Sequence, residues 1–351
     1  MRTSVQLKPI EEQVIVITGA SSGIGLATAR LAAERGARVV LSAWDEHGLR
    51  IAAEEIRATG GEAIAVVADV SDVDAVRRVA DVAIETYGRI DTWLSNAGVH
   101  LFGELMDNSE EDMRRIFDVN YWGVVHGAMV AVPHLAKQGG ALLTMASVLS
   151  SRSVPLQGIY GASKHAVKGI TDALRVELES NGVPVVVTTI MPAAIHTPIV
   201  GHSKSLMMER AQLPPPMYDP YVAARAILHV AEHPRRQLII GGSGWVATLG
   251  EKVAPSLTDR LMELFLYPLQ RTRGAPRESH SLHEPPREQP ATHDESQRFL
   301  LQHSLYTWAS LHRGRALAAL GVGGLAAWIA GRAWRSGAGG RADVARAPQT
   351  A

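Results

Sequence analysis

The sequence predicts an α/β fold, a doubly wound parallel sheet with a helical C-terminal extension, and three observations carry that expectation. From residue 13 to about 191, short aliphatic runs alternate with stretches of helical period, the pattern of parallel strands covered on both faces by crossover helices. The first run leads directly into a glycine-rich turn and an Ala-rich helical pattern. Hydrophobic residues make up 46% of the chain but aromatic residues only 5%, so the core is to be built from aliphatic side chains, which suits helices packed on a sheet.

Strands are expected at 13–18, 37–42, 63–68, 90–95, 141–146 and 183–191, with a shorter one at 237–240. Right-handed crossovers between them give a Rossmann sheet whose ligands sit at the carboxyl edge. The stretch 193–220, with Met207, Met208 and the run Leu213, Pro214, Pro215, Pro216, fits neither period and is expected to form a lid over that edge. Residues 1–245 then make the catalytic domain. A helical extension follows at 246–271, with Leu257, Leu261 and Leu264 on one face, and 272–297, rich in Pro, His, Arg and Glu, reads as a polar linker.

A helical tail is expected at 298–351. Its segment 316–334 begins with a charge-free run, Ala316 to Gly331, bracketed by Arg313, Arg315, Arg332 and Arg335. That run is shorter than the roughly 20 residues that span a bilayer. Basic flanks and the four-residue spacing of Ala319, Gly323 and Ala327 favour association with a membrane; packing on the catalytic domain or a dimer partner is the competing reading.

Lys plus Arg and Asp plus Glu number 35 each, so no net field draws nucleic acid or an anionic surface. The absence of cysteine excludes disulfides, thiolate catalysis and Cys-ligated zinc. An apolar run at 14–17 is too short for a signal-peptide core, so a cytoplasmic protein is expected, with the tail as its route to a membrane. Among fourteen histidines, His280, His283 and His293 lie in the polar stretch without acidic or Cys partners at ligand spacing, and no metal is expected.

Chemistry enters with the turn Gly19, Ala20, Ser21, Ser22, Gly23, Ile24, Gly25. A pyrophosphate needs backbone N–H donors at a helix N-terminus and no side chain in its way, which Gly19, Gly23 and Gly25 would provide. Taken alone, such a turn also serves simply to join a strand to a helix. Tyr160 and Lys164 stand four apart, hence on one face of a helix. A phenol of ordinary pKa about 10 is a poor base at neutral pH, and an ammonium within roughly 4–6 Å can lower it by about 1–3 units. Taken alone, that pair also fits a helix surface. Asp69 and Val70 follow the third strand, Asn96, Ala97 and Gly98 the fourth, Ser147 the fifth and Pro192 the sixth, while Asn120 lies in a helix, so several independent loops converge on one edge. Ser147 can hydrogen-bond a substrate oxygen, Tyr160 can exchange a proton with it, Lys164 can lower the Tyr pKa and hold a ribose, and Asn120 can anchor a water relay.

These motifs resemble the short-chain dehydrogenase/reductase family over residues 10 to about 245. The resemblance implies that Gly19, Ser21, Ser22, Gly23, Ile24 and Gly25 form the phosphate turn, that Asp69 and Val70 meet the adenine, and that Asn96, Ala97 and Gly98 border the ribose. It implies that Pro192 and Thr197 lie at the nicotinamide, and that Asn120, Ser147, Tyr160 and Lys164 form a catalytic tetrad. The implied activity is NAD(P)-dependent interconversion of a secondary alcohol and a ketone, in a homo-oligomer built on the helices before and containing Tyr160. Two positions depart from the family pattern. Ala193 stands where a glycine is usual, and the second strand ends Ser42, Ala43, Trp44, Asp45 without the usual acidic or basic residue. Asp45 and Glu46 would repel a 2′-phosphate and Ser22 brings no positive charge, which favours NAD over NADP. The aliphatic lid points to an apolar substrate such as a lipid, steroid or polyketide-like alcohol. Nucleotide-sugar epimerases share the Tyr-Lys pair but have a shorter glycine spacing, and an intact tetrad argues against a non-catalytic scaffold or redox-sensing interaction protein.

Overall fold

The computed structural model describes residues 5–275, 280–286, 289–294, 300–314, 316 and 328. Seven parallel strands form one sheet: β1 Val14–Thr18, β2 Arg38–Ala43, β3 Glu62–Val67, β4 Thr92–Ser95, β5 Gly140–Met145, β6 Val185–Pro192 and β7 Gln237–Ile240. They lie in the order β7, β6, β5, β4, β1, β2, β3, so the winding reverses between β1 and β4 and leaves a crevice at their carboxyl ends. Each expected strand is present within two residues of its expected bounds.

Burial explains the unbroken apolar runs. All five β1 residues are buried because both faces of the sheet are covered. Val14 and Val16 join Val40, Trp93 and Leu142 in a core shared with α3 (Val73–Tyr87) and α5 (Gly123–Leu135), while Ile15 and Ile17 point to the opposite face. On the same chain α1 (Gly23–Glu34) packs against α7 (Pro220–Glu232). Side chains start the helices where the sequence offers short polar residues. Asp45, Asp72, Ser109 and Asp219 each accept a backbone N–H in the first turn of α2 (Glu46–Ala58), α3, α4 (Glu110–Phe117) and α7, a contact worth about 1 kcal/mol apiece. A single π turn, Asp118–Trp122, joins α4 to α5 and carries Asn120. The long α6 is Gly158–Ser180.

The lid expected at 193–220 contains a short helix, Ile199–His202, and two-residue strands that pair with Leu101–Phe102 and Arg271–Thr272. Met207 is buried with Phe102, Leu156 and Ala211, whereas Met208 is exposed. Helix α8, Gly242–Val253, begins before the expected start of the extension at 246, and a further helix, Pro255–Leu261, leads into a π turn, Met262–Leu266. The expected apolar face here looks outward: Leu257, Leu261 and Leu264 are 59%, 47% and 51% exposed.

The stretch 272–297, polar enough to read as a linker, does not hang free in its described parts. Leu282 is fully buried with Leu101 and Ile116, the Ser281 N–H donates to the His202 carbonyl at 2.7 Å, and the Ala291 carbonyl accepts the Gly23 N–H at 2.9 Å. One buried leucine and a series of backbone bonds tie it down, and neither leaves a periodic trace in the sequence. The chain divides into a compact unit Met1–Thr307 and a second unit Trp308–Ala351. Of the expected membrane segment 316–334, only Ala316 and Trp328 belong to the described residues. Among the described residues no helix is long and apolar enough to cross a membrane.

Candidate active site

Two adjoining cavities occupy the carboxyl edge of the sheet. The first is an elongated cleft that begins at Trp44, passes Asp69, Val70 and the turn Gly19, Ser21, Ser22, Gly23, Ile24, and ends at Tyr160, Lys164, Pro192 and Thr197. Asn96, Ala97 and Gly98 line its floor. The second is bounded mainly by apolar side chains, among them Val148, Leu149, Ile195, Leu213, Pro214 and Leu266, together with Ser147. Tyr160 borders both. Two of the expected residues line neither: Gly25 lies behind the turn and Asn120 is fully buried.

The glycines are explained by the protein's own packing. A Cβ on Gly25 would sit 2.1 Å from the Gly19 carbonyl oxygen, and one on Gly19, at φ +66°, would sit 2.7 Å from the Ala97 Cα. At Gly23, φ is +55° and a Cβ would meet Thr197 at 3.2 Å. The close approach inferred from sequence for a pyrophosphate is therefore first an approach of loop to loop. Thr18 and Asn96 lock it: Thr18 Oγ1 accepts the Asn96 and Ala97 N–H groups at 3.0 and 3.2 Å, and Asn96 Nδ2 donates to the Thr18 and Gly19 carbonyls at 2.9 and 3.1 Å. Ser22 precedes α1 without a side-chain cap, so the helix start is left for an anion. One of its donors, the Gly23 N–H, is held by Ala291. A helix start without a side-chain cap, a cleft running from an aromatic ring to the Tyr-Lys pair, and loops that all face it fit a dinucleotide.

Tyr160 and Lys164 lie on one face of α6, as their spacing predicts. Strand β5 presents its carboxyl end to them: Lys164 Nζ donates to the Met145 carbonyl at 2.9 Å and stands 5.7 Å from the Tyr160 ring centre. Ser147 follows that strand and starts a short turn by accepting the Leu149 N–H at 3.1 Å, and its hydroxyl is hydrogen-bonded to Tyr160. Burial pushes the Tyr160 hydroxyl up to about 12, with the Ser147 bond opposing it. The lowering expected from Lys164 does not appear in the protein alone, because the ammonium is itself buried and is pulled down to about 8. Asn120 uses both N–H groups and a lone pair on the protein: Nδ2 donates to the Val99 carbonyl and Ser163 Oγ, at 3.0 and 3.1 Å, and Oδ1 accepts the Val99 N–H at 2.8 Å. It clamps the loop that carries Ala97 and Gly98, a role the relay reading did not anticipate.

At the far end the acidic residue expected to repel a 2′-phosphate is engaged elsewhere. Asp45 is buried, and its carboxylate accepts the Gly48 N–H at the start of α2. Arg115 lies over the Trp44 ring at 5.0 Å. Its three nitrogens are taken by Asp69, Ser71 and the Leu282 carbonyl, at 2.7, 2.9 and 3.1 Å. Burial raises the Asp69 carboxyl, but the bonds from Ser71 and Arg115 outweigh it and hold the group below its ordinary range. Nearby, Arg114 pairs with Glu110 on the surface, whereas Asp112 is buried and receives Lys204 Nζ at 2.6 Å. His283 and His293 do have acidic partners, Asp112 at 2.8 Å and Asp219 at 3.0 Å, brought together by the fold rather than by sequence spacing. Ala193 needs no special backbone: glycines at 241 and 244 make room for its methyl, since a Cβ on either would lie 2.9 or 3.5 Å from it.

Several site residues went unread: His100, Gln157, Arg115, and Ser281 and Pro286 of the C-terminal stretch, which both line the cleft. None belongs to a spaced motif, and the last two come from a segment whose composition reads as solvent-exposed.

Comparison with known proteins agrees with this geometry. The family described as short chain dehydrogenase matches residues 13–206. The uncharacterized oxidoreductase YxnA of Bacillus subtilis (strain 168) is 41% identical over 342 residues, 95% of each chain, so the likeness extends into the C-terminal extension. A short chain dehydrogenase/reductase from Burkholderia phymatum, solved in complex with NAD, is 28% identical with a TM-score of 0.64, covering 78% of this chain and all (100%) of that one. An alcohol dehydrogenase from Thermococcus sibiricus, complexed with 5-hydroxy-NADP, is 28% identical with a TM-score of 0.56, covering 65% of this chain and 95% of that one. A chain with this sheet, this cleft and this Ser-Tyr-Lys arrangement is an oxidoreductase that belongs to the short-chain dehydrogenase family.

Proposed function

We propose that the protein interconverts an apolar secondary alcohol and its ketone with a nicotinamide dinucleotide, and that Tyr160 carries the proton. One observation supports this most: the Tyr160 hydroxyl, bonded to Ser147, stands where the dinucleotide cleft meets an apolar cavity. When bound, the nicotinamide supplies or accepts the hydride. In the reducing direction Ser147 and Tyr160 hold the carbonyl oxygen, and Tyr160 delivers its proton to that oxygen as negative charge develops. Lys164 orients the phenol from below, and the positive charge it shares with an oxidised coenzyme favours the phenolate left behind. Asn120 keeps the loop at Ala97 and Gly98 in place.

For the coenzyme we infer NAD. Among the described residues the cations bordering the cleft are Arg115 and Lys164, and the Arg115 nitrogens are all engaged, so none of these residues offers a free guanidinium to a 2′-phosphate. Exposed Trp122 at the end of the π turn and Met129 on α5, with Ile170 and Val176 on α6, support a homo-oligomer built on those helices. The outward face of Leu257, Leu261 and Leu264 supports the reading that the C-terminal part brings the enzyme to membranes, where apolar substrates reside. Full-length protein recovered entirely in the soluble fraction at low salt would refute that part.

Tyr160→Phe tests the central reading. It is expected to reduce turnover of apolar ketones by roughly 10²–10⁴ while NADH still binds. Near-normal turnover in the variant would remove Tyr160 as proton carrier.

A further inference from the structure

The site leaves one buried titratable side chain unassigned, His100. It follows the Asn96 to Gly98 loop, is 4% exposed, and borders both cavities. Its ring contacts those of Phe102 and Tyr160, each with a centroid 4.3 Å away and tilted by 44° and 45°. His100 Nε2 lies 2.8 Å from Gln157 Oε1; Gln157 Nε2 donates to Gln270 Oε1; and Gln270 Nε2 donates to the Pro155 and Leu266 carbonyls at 3.0 and 3.3 Å. All three side chains are buried.

The far end of this chain sets its polarity. Peptide carbonyls only accept, so Gln270 must turn its amide N–H groups to Pro155 and Leu266 and its oxygen to Gln157. Gln157 then presents N–H to Gln270 and oxygen to His100, and His100 must donate from Nε2. The bond to Gln157 thereby fixes a proton on Nε2 and the orientation of the ring, while burial and the nearby Lys164 outweigh the pull of that bond toward the charged form and keep the pKa down at about 4. The backbone adds to this. Leu156 has φ +65°, unusual for a residue with a branched side chain; it buries its own side chain beside Phe102 while Gln157 opens α6. A proton-transfer phenol has to stay within hydrogen-bond reach of its partners, and misplacement by about an ångström can lower a rate by roughly 10²-fold. Tyr160 sits in the first turn of α6, where the helix backbone alone leaves its ring torsions free to move.

We propose that His100 is a positioning residue for Tyr160, pinned against the phenol by a buried amide chain that begins at Gln270 in the C-terminal extension. The extension thereby completes the active site of a domain that would otherwise end near Gly241. This rests on Tyr160 as the proton carrier, and the test separates the two. The chain has seven tyrosines, so in protein labelled with ¹³C-tyrosine the Tyr160 ring signal is identified by its loss in Tyr160→Phe. Gln270→Met keeps the volume and breaks the chain; it is expected to shift the Tyr160 signal and speed its ring flips, with NADH affinity unchanged. His100→Ala should do so more strongly. With NADH and 2-decanone as the probe, kcat is expected to fall about tenfold in Gln270→Met and about 100-fold in His100→Ala, KM changing less than about threefold. His100→Phe, which keeps the ring contact and loses the N–H, should fall between wild type and His100→Ala. A Tyr160 signal unmoved in both Gln270→Met and His100→Ala overturns the proposal, as does a loss confined to KM or to thermal stability. If Tyr160→Phe itself keeps full turnover while the signal shifts as expected, the proton-carrier reading fails and the positioning contact stands.

Discussion

Replacing Lys164 with Met should make the enzyme inactive and, near neutral pH, more stable. Lys164 is 2% exposed, and burial brings its pKa from 10.5 to about 8. At about 1.4 kcal/mol per unit, holding the ammonium in the core at about pH 7 costs the folded state roughly 3 kcal/mol. Met fills a similar volume and removes that cost. It also strands the Met145 carbonyl, which now accepts Nζ at 2.9 Å, and an orphaned buried acceptor costs about 1–3 kcal/mol. The difference leaves a net gain of up to roughly 2 kcal/mol. The pH dependence separates the two effects. The folded pKa lies below the unfolded one, so between about 8 and 10.5 the unfolded chain keeps a proton that the folded chain has released, and wild-type stability rises with pH through that window. Tyr160, raised to about 12, works in the opposite sense only above its ordinary value of 10.0, which sets the upper limit of the comparison. The advantage of Lys164→Met should therefore shrink by about 2 kcal/mol between about pH 7 and about pH 9.5. Urea unfolding of both proteins without coenzyme at the two pH values measures it. A variant less stable than wild type by the same amount at both would show that the buried ammonium carries no such cost.

Gly25→Ala should act on the fold before the coenzyme: its methyl would meet the Gly19 carbonyl at 2.1 Å and Asn96 Nδ2 at 2.7 Å, so a loss of about 1–3 kcal/mol or more is expected, and an unchanged thermal midpoint would contradict the packing described. Trp44→Arg should move the NADPH to NADH affinity ratio at least about tenfold toward NADPH, because a guanidinium not committed to Asp69 would enter the adenosine end; fluorescence titration with each coenzyme showing no change would misplace that end of the cleft. A chain ending at residue 275 frees the Gly23 N–H from Ala291, and NADH association by stopped flow is expected to become several-fold faster; a slower or abolished association in a folded variant would make the C-terminal stretch part of the coenzyme site instead of a cover.

The strands were legible because each is a mainly aliphatic run closed by a turn, and inner strands such as β1 and β5 are buried along their whole length. The glycine turn and the Tyr160-Lys164 pair were legible because each is a short spacing within one loop or one helix face. What the glycines do was not. Gly19 and Gly25 are demanded by contacts with Ala97 and with each other's loop, which spacing cannot distinguish from contacts with a phosphate. The same limit applies to Asp45, whose carboxylate caps a helix, and to Arg115, whose partners Asp69 and Leu282 stand on opposite sides of it in the chain. His100 had no signal at all: it matters through a ring contact 60 residues away in sequence and an amide chain that reaches Gln270. Local spacing thus determined the fold class, the places of the strands along the chain and the pairing of Tyr160 with Lys164 on one helix face. The tertiary structure alone decided which side chains are buried together, and with that the charge state of Lys164, the setting of Tyr160 and the return of a polar C-terminal stretch to the cleft, because desolvation and long-range hydrogen bonds arise only once distant segments meet.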